Sequence, residues 1–231
     1  MSGHSKWSTI KRQKGATDAK RGNLFTKLGN SIAIAVHEGG GGDPDSNFKL
    51  RLVIEKARQA NMPKENIQRS IDRGLGKGEA AALQSAIFEG FAPGGAAIIV
   101  ETITDNTTRT GAELRNVFEK NGGHLASPGA VAYMFSRVGE IELAKTAHFD
   151  EVFEKAAAAG AEDVEETEDL FLVYTRPEDL HRVAQKLGGQ GRMIYRPNKE
   201  SIVTLPDTTK LENFVSVLHD LDDVQEVYVN V

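Results

Sequence analysis

Apolar side chains recur every three to four residues over the first third of the chain. They run through Leu24, Phe25, Leu28, Ile32, Ala35 and Val36, then Leu50, Val53, Ile54 and Ala57, then Ile67 and Ile71. This spacing predicts three short amphipathic helices. Asp18 can cap the first, and the run Gly39 to Gly42 followed by Asp43-Pro44 ends it. Asp45 or Ser46 can cap the second. Asn61-Met62-Pro63 separates the second from the third, with Pro63 comfortable in a first helical turn. The third stops near Gly74.

After Gly78 the period changes. Ala96 to Thr104 is β-branched and apolar, is introduced by the turn Pro93-Gly94-Gly95, and reads as a strand. A helix bearing Leu114, Val117 and Phe118 follows and ends at Gly122-Gly123, and Val131 to Phe135 alternates like a strand. From Ile141 the pattern is strand, helix (Phe149, Val152, Phe153, Ala156), strand near Val164 and strand Leu170 to Tyr174. Next comes a helix with Leu180, Val183, Ala184 and Leu187, whose start at Thr175 to Glu178 fits a capping box, and then a strand at Met193 to Tyr195. Strand Ile202 to Leu205, a helix through Leu211, Val215 and Leu218, and strand Val224 to Val231 close the chain. The middle stretch spells β-α-β-β-α-β, a ferredoxin-like unit, between two β-α-β halves.

The economical arrangement pairs the halves and inserts the middle unit between them; an extended sequential sheet is the competing topology. The fold class expected is therefore multidomain α and α+β. A three-helix bundle precedes two ferredoxin-like domains, one inserted in the other. The boundaries are 1–77 for the basic arm and bundle, 78–136 plus 199–231 for a discontinuous α+β domain, and 137–198 for the insertion.

Composition is consistent with this: 39% apolar residues are enough for real cores. With no cysteine there are no disulfides and no thiolate metal sites. No apolar run approaches membrane-spanning length and the basic N-terminus has no apolar stretch behind it, so a cytoplasmic chain without a membrane role is expected.

Charge changes the picture more. Through Lys77 there are 15 Lys+Arg against 7 Asp+Glu; beyond it, 13 against 26. The overall charge of −5 hides a basic head on an acidic body. In the first 27 residues Asp18 is the only acid, and the chain's one tryptophan, Trp7, sits among the cations. A polyanion is the partner such a segment suits, nucleic acid or the ribosome, with Trp7 free to stack.

No enzyme signature survives inspection. Gly74, Gly76 and Gly78 flank Lys77 without the strand or the Gly-Lys-Ser/Thr of a phosphate loop, so a hinge is the better reading. The six histidines show no ligand spacing, and the charges around His219 (Asp220, Asp222, Asp223) fit a solvated helix end. Between Thr104 and Arg109, Asp105 or Thr107 is read as a helix cap, with an anion at that helix start as the alternative. The acidic run Glu162, Asp163, Glu165, Glu166, Glu168 and Asp169 reads as charge guarding a strand edge, with docking of a basic protein as the alternative. No cofactor, metal or small-molecule substrate is expected.

Several long motifs carry a resemblance. GHSKW near the N-terminus, DAKRGNLFTKL across the first helix, GGDPDSN in the turn, KARQANMPKENIQR joining the next two helices, FEGFAPGGAAIIVETITDNTTRT and GAVAYMF together resemble the YebC/PmpR family, which includes the mitochondrial translational activator of cytochrome oxidase. The match spans essentially the whole chain. It implies a helical N-terminal bundle with two α+β domains, one inserted in the other, and a non-enzymatic cytoplasmic regulator of gene expression. Many bacterial members are described as DNA-binding transcriptional regulators. Others act in translation, are linked to ribosomes and ease synthesis through proline-rich stretches.

The expected function is sequence-tolerant nucleic-acid binding in transcription control, or, alternatively, ribosomal RNA binding by a translation factor. An enzyme with an unrecognised site between the α+β domains is the third reading. The proposed phosphate clamps are Lys6, Lys11, Arg12, Lys14, Lys20, Arg21 and Lys27, with Trp7 stacking. Arg51, Arg58, Lys64 and Arg69 extend the surface over the second and third helices, where the short link also permits a helix-turn-helix reading.

Overall fold

The computed structural model describes residues 18–77 and 82–231, with side chains from residue 21. Seven α-helices and eight strands occur among them: α1 (Asp18–Glu38), α2 (Phe48–Gln59), α3 (Lys64–Gly74), β1 (Gln84–Phe91), β2 (Ala97–Thr104), α4 (Thr107–Lys120), β3 (His124–Leu125), β4 (Phe135–Ala144), α5 (Phe149–Ala159), β5 (Asp163–Glu166), β6 (Leu170–Thr175), α6 (Leu180–Leu187), β7 (Gln190–Pro197), α7 (Thr209–His219) and β8 (Val224–Val229). The strands form two separate four-stranded sheets, ordered β3-β1-β2-β8 and β5-β6-β4-β7. The chain divides into two compact units, one over 16–128 and 207–227, the other including 129–206 and 228–231.

In the first unit the helical stripes meet as the periodicity requires. Ile32, Ala35, Val36, Leu50, Ile54, Ala57, Met62, Ile67 and Ile71 make one buried cluster, edged by Phe25, Leu28 and Val53. Leu24 stays exposed. Ala33 and Ile34 are buried as well, so α1 is covered on more than its bundle face. It lies against β2 and is tied further along by Asn23 Nδ2 to Asp220 O (2.7 Å) and Ser31 Oγ to Gln225 Oε1 (3.1 Å).

Two asparagines shape the bundle. Asn47, not Asp45 or Ser46, caps α2: its Oδ1 accepts from Leu50 N at 3.0 Å. Its Nδ2 donates to Ala35 O (2.8 Å) and Gly41 O (3.0 Å), closing the end of α1 with the same side chain. Asn61 ends α2 in the left-handed region (φ +58). Its N–H meets Arg58 O, and Met62 N–H meets Ala57 O, the paired bonds of a Schellman turn, with Met62 buried in the bundle core.

In the sheet of this unit β1 pairs antiparallel with β2 and with β3, while β8 lies beside β2. β1 lies outside the sequence expectation. Its eight residues include Gln84, Ser85, Glu89 and Gly90, so the apolar signal is weak. Gly90 is obligatory there, because a Cβ would sit 2.6 Å from His124 O and from the Phe118 ring. Helices α4 and α7 meet through Phe118 and Phe214, edge to face at 4.9 Å.

The second unit contains the β-α-β-β-α-β element in one piece, β4-α5-β5-β6-α6-β7. Ile141, Val152, Ala156, Val164, Phe171, Val173 and Val183 are in its core. Three local expectations are corrected. Val131–Phe135 is not a strand: Ala132–Met134 is a 3-10 turn and β4 begins at Phe135. Ile202–Leu205 forms no strand either, and Val203 N–H makes a single ladder-like bond to Asn230 O. No capping box forms before α6. A 3-10 turn at Pro177–Asp179 leads into the helix, and the Thr175 hydroxyl donates to Arg176 O instead.

Candidate nucleic-acid interface

Lys6, Trp7, Lys11, Arg12 and Lys14 lie outside the described residues, as does the side chain of Lys20. Arg21, Arg51, Arg58, Lys64 and Arg69 are all exposed. On α2 the buried stripe of Leu50, Ile54 and Ala57 leaves cations on both flanks. Arg51 and Arg58, seven residues apart, line one side, and Lys49 and Lys56 line the other. Arg51 stacks its guanidinium 5.9 Å from the Phe48 ring centroid and reaches Asp45 O at 3.4 Å. Lys49 pairs with Glu38 at 3.2 Å. Arg58 and Lys64 have no hydrogen-bond or ion-pair partner among the described residues.

On α3, Ile67 and Ile71 face inward, which turns Glu65, Arg69 and Asp72 outward. Arg69 is steadied by Asn66 Oδ1 (2.5 Å) and Glu65 O (3.4 Å). Two carboxylates beside one arginine make a poor base-reading face, because they repel the phosphates that flank a groove. The bundle therefore offers cations along α2 and at the start of α3 rather than a recognition helix. Lys27 is engaged differently: its Nζ donates to His219 O at 2.6 Å, at the carbonyl end of α7, where a cation complements the helix dipole.

Five arginines of the α+β regions are held by carboxylates. Arg109 binds Asp105 (2.9 Å) and Asp223 (3.1 Å), and Asp223 Oδ2 also accepts from the Thr110 hydroxyl at 2.7 Å. The anion at the start of α4 is thus the protein's own Asp223, and the side-chain cap is Asn106, which accepts from Arg109 N at 3.0 Å, rather than Asp105 or Thr107. In the second unit Asp179 accepts from Arg182 (2.6 Å) and Arg176 (2.8 Å), and these bonds hold its carboxyl below the usual carboxylate range.

The sheet face away from α5 and α6 carries Asp163 and Glu165 of β5. Asp163 and Glu165 clamp Arg196 at 2.7 and 2.5 Å, and the guanidinium lies 3.8 Å over the Tyr174 ring. Burial, then Glu165 and Glu140, push the Tyr174 hydroxyl far above its ordinary pKa. It stays protonated and donates to Glu165 at 3.3 Å. Fully buried Glu140 accepts from Arg192 at 2.6 and 2.9 Å. Asp163 and Glu165 of the acidic run are therefore internal bracing. The central strands of this face offer Glu140, Glu142, Leu172 and Tyr174, not the basic and aromatic platform that single-stranded nucleic acid needs.

Among the described residues no three His, Asp or Glu side chains form a metal-holding group, and no helix is long and apolar enough to cross a membrane. The residue that sequence reasoning passed over is Arg73. It is half-buried and its Nη1 donates to Asn30 Oδ1 at 3.2 Å, a partner 43 positions away that no local pattern announces.

Comparison with known proteins decides the lineage. Residues 5–77 match the TACO1/YebC protein N-terminal domain, and residues 83–231 match the TACO1/YebC second and third domain. The chain belongs to the TACO1/YebC family. A protein of Roseiflexus castenholzii named "Probable transcriptional regulatory protein" is 48% identical over 241 residues, covering 100% of this chain and 94% of that protein. A protein of the same name from Fervidobacterium nodosum is 46% identical over 237 residues, covering 100% and 93%. The crystal structure of a conserved hypothetical protein from Aquifex aeolicus superposes with a TM-score of 0.83 at 40% identity, covering 97% of this chain and 96% of that one.

Proposed function

We propose that this TACO1/YebC protein is a non-enzymatic, sequence-tolerant nucleic-acid binder that regulates gene expression, with duplex DNA as its target in transcription control. One observation carries the reading. The head of the chain holds 15 Lys+Arg against 7 Asp+Glu, and its exposed Arg51, Arg58, Lys64 and Arg69 meet no carboxylate among the described residues. The regulatory names of the relatives agree with it. The grip is assigned to Lys6, Lys11, Arg12, Lys14, Lys20 and Arg21, with Trp7 stacking and the α2 and α3 cations extending the surface. We assign the chain to three domains: 1–77, 78–136 with 199–231, and 137–198.

The mixed outward face of α3 favours backbone contact over base readout, and this supports a second reading, a translation factor on ribosomal RNA. Binding to duplex DNA and co-sedimentation with ribosomes, measured side by side in one buffer, separates the two. Tighter DNA binding supports transcription control and ribosome association without DNA binding supports the second reading. Indifference to both polymers at low ionic strength overturns the proposal.

A further inference from the structure

Helices α5 and α6, the α-helices of the second unit among its described residues, pack on one face of the sheet, against Ile141, Val164, Phe171 and Val173. The opposite face is buried at its centre as well. Glu140 and Leu172 are fully buried there, Tyr174 is 1% exposed and Ile194 2%. The strand registers bring these side chains to that one face. Glu140 lies opposite Tyr174 and Arg192, Leu172 lies opposite Glu142 and Glu165, and Ile194 is two positions beyond Arg192. Apolar side chains on a sheet are buried by a second layer, and neither helix supplies one here.

The chemistry of the face says what such a layer must be. Asp163, Glu165, Glu140 and Glu142 share it with Arg192 and Arg196, four acids against two bases, a net charge of −2. A nucleic acid is repelled by that charge. The cover has to be apolar where it meets Leu172, Ile194 and Tyr174, and cationic around them. Residues 1–17 have this composition: Lys6, Lys11, Arg12 and Lys14 are cationic, none is acidic, and Trp7 and Ile10 are large and apolar. Extended, the segment reaches up to about 60 Å, well beyond the width of a domain.

We propose that residues 1–17 dock on this sheet face within the same chain, with Trp7 and Ile10 over Leu172, Ile194 and Tyr174 and the cations against the carboxylates. The face then stands in for a polyanion. Cations held by its carboxylates are not available to phosphate, so nucleic acid has to displace the arm in order to bind. That competition rests on the arm gripping phosphates, as proposed above; the docking itself does not.

Trp7 is the chain's only tryptophan, so its fluorescence in the full-length protein tests the docking with no ligand present. Its emission is expected to be blue-shifted from that of the urea-unfolded chain and shielded from acrylamide. Glu142→Lys reverses a charge on the face at a side chain that is 38% exposed, where the fold is not threatened. It should move Trp7 emission to the red and raise acrylamide quenching toward the unfolded value. Lys11/Arg12/Lys14→Ala approaches from the arm and should release Trp7 in the same way. Glu154→Lys, at an exposed position of α5, adds the same charge elsewhere and should leave Trp7 unchanged. Glu142→Lys should also tighten duplex DNA binding by more than Glu154→Lys does. A wild-type Trp7 as quenchable as in urea, or a Trp7 signal indifferent to both Glu142→Lys and Lys11/Arg12/Lys14→Ala, overturns the docking and leaves the nucleic-acid reading standing. A Trp7 signal that moves with protein concentration assigns the face to the arm of a second copy and overturns docking within one chain. Trp7 released by Glu142→Lys in a protein that binds no DNA upholds the docking and sinks the nucleic-acid reading instead.

Discussion

Two sets of arginines, one in the bundle and one in the α+β regions, meet different kinds of partner. In the α+β regions Arg109, Arg176, Arg182, Arg192 and Arg196 each meet at least one carboxylate. In the bundle Arg51, Arg58, Arg69 and Arg73 meet only backbone oxygens, amide side chains, an aromatic ring or nothing among the described residues. Arginines of the first kind brace the fold: they are neutralised locally and contribute little to the long-range field. Those of the second kind keep their charge available to a partner, and the exposed ones among them add little to stability.

Substitutions on the two sides should therefore separate stability from binding. The largest effect is expected in the second unit. Arg192→Ala strands the fully buried Glu140 and should cost about 3 kcal/mol in urea unfolding. Asn47→Ala comes next. It removes the α2 cap and the side-chain donor to Gly41 O, while Ala35 O keeps the Gly39 amide, for about 2 kcal/mol. The double variant Arg58→Ala with Lys64→Ala should shift stability by no more than about 0.5 kcal/mol. It should also lower the salt slope of DNA binding by up to about 1.8, or 0.9 per phosphate neutralised. A double variant that unfolds the bundle but leaves the slope intact would erase the contrast.

The smallest effect concerns acid. The hydrogen bonds from Arg182 and Arg176 depress the Asp179 pKa in the folded state. Its contribution to stability is present above the ordinary carboxylate pKa and fades as pH falls through the depressed one. Asp179→Asn should flatten the loss of stability below about pH 4, followed by thermal melts across that range.

The sequence was most legible where one physical rule acted alone. The helical stripes placed the bundle core because burial must follow the 3.6-residue period. Leu24, at the edge of the pattern, escaped it. Caps were harder to assign. Asp45, Ser46 and Asn47 are all competent acceptors, and only the point where the backbone turns from extended to helical selects Asn47. Strand β1 was hidden because its packing rests on what is absent, a side chain at Gly90, and Val131–Phe135 alternates without laddering. The exposed cations Arg51, Arg58, Lys64 and Arg69 could be read from charge and period. Lys27 could not, since its engagement with the end of α7 joins residues 192 apart. Arg73 was equally out of reach, since its bond to Asn30 joins residues 43 apart.

The most direct measurement is the salt dependence of duplex DNA binding by the full-length protein and by Lys11/Arg12/Lys14→Ala. If the head of the chain grips phosphates, the variant's log–log slope should fall by about 0.9 for each phosphate it no longer holds, and by a similar amount on unrelated sequences. An unchanged slope would contradict the account.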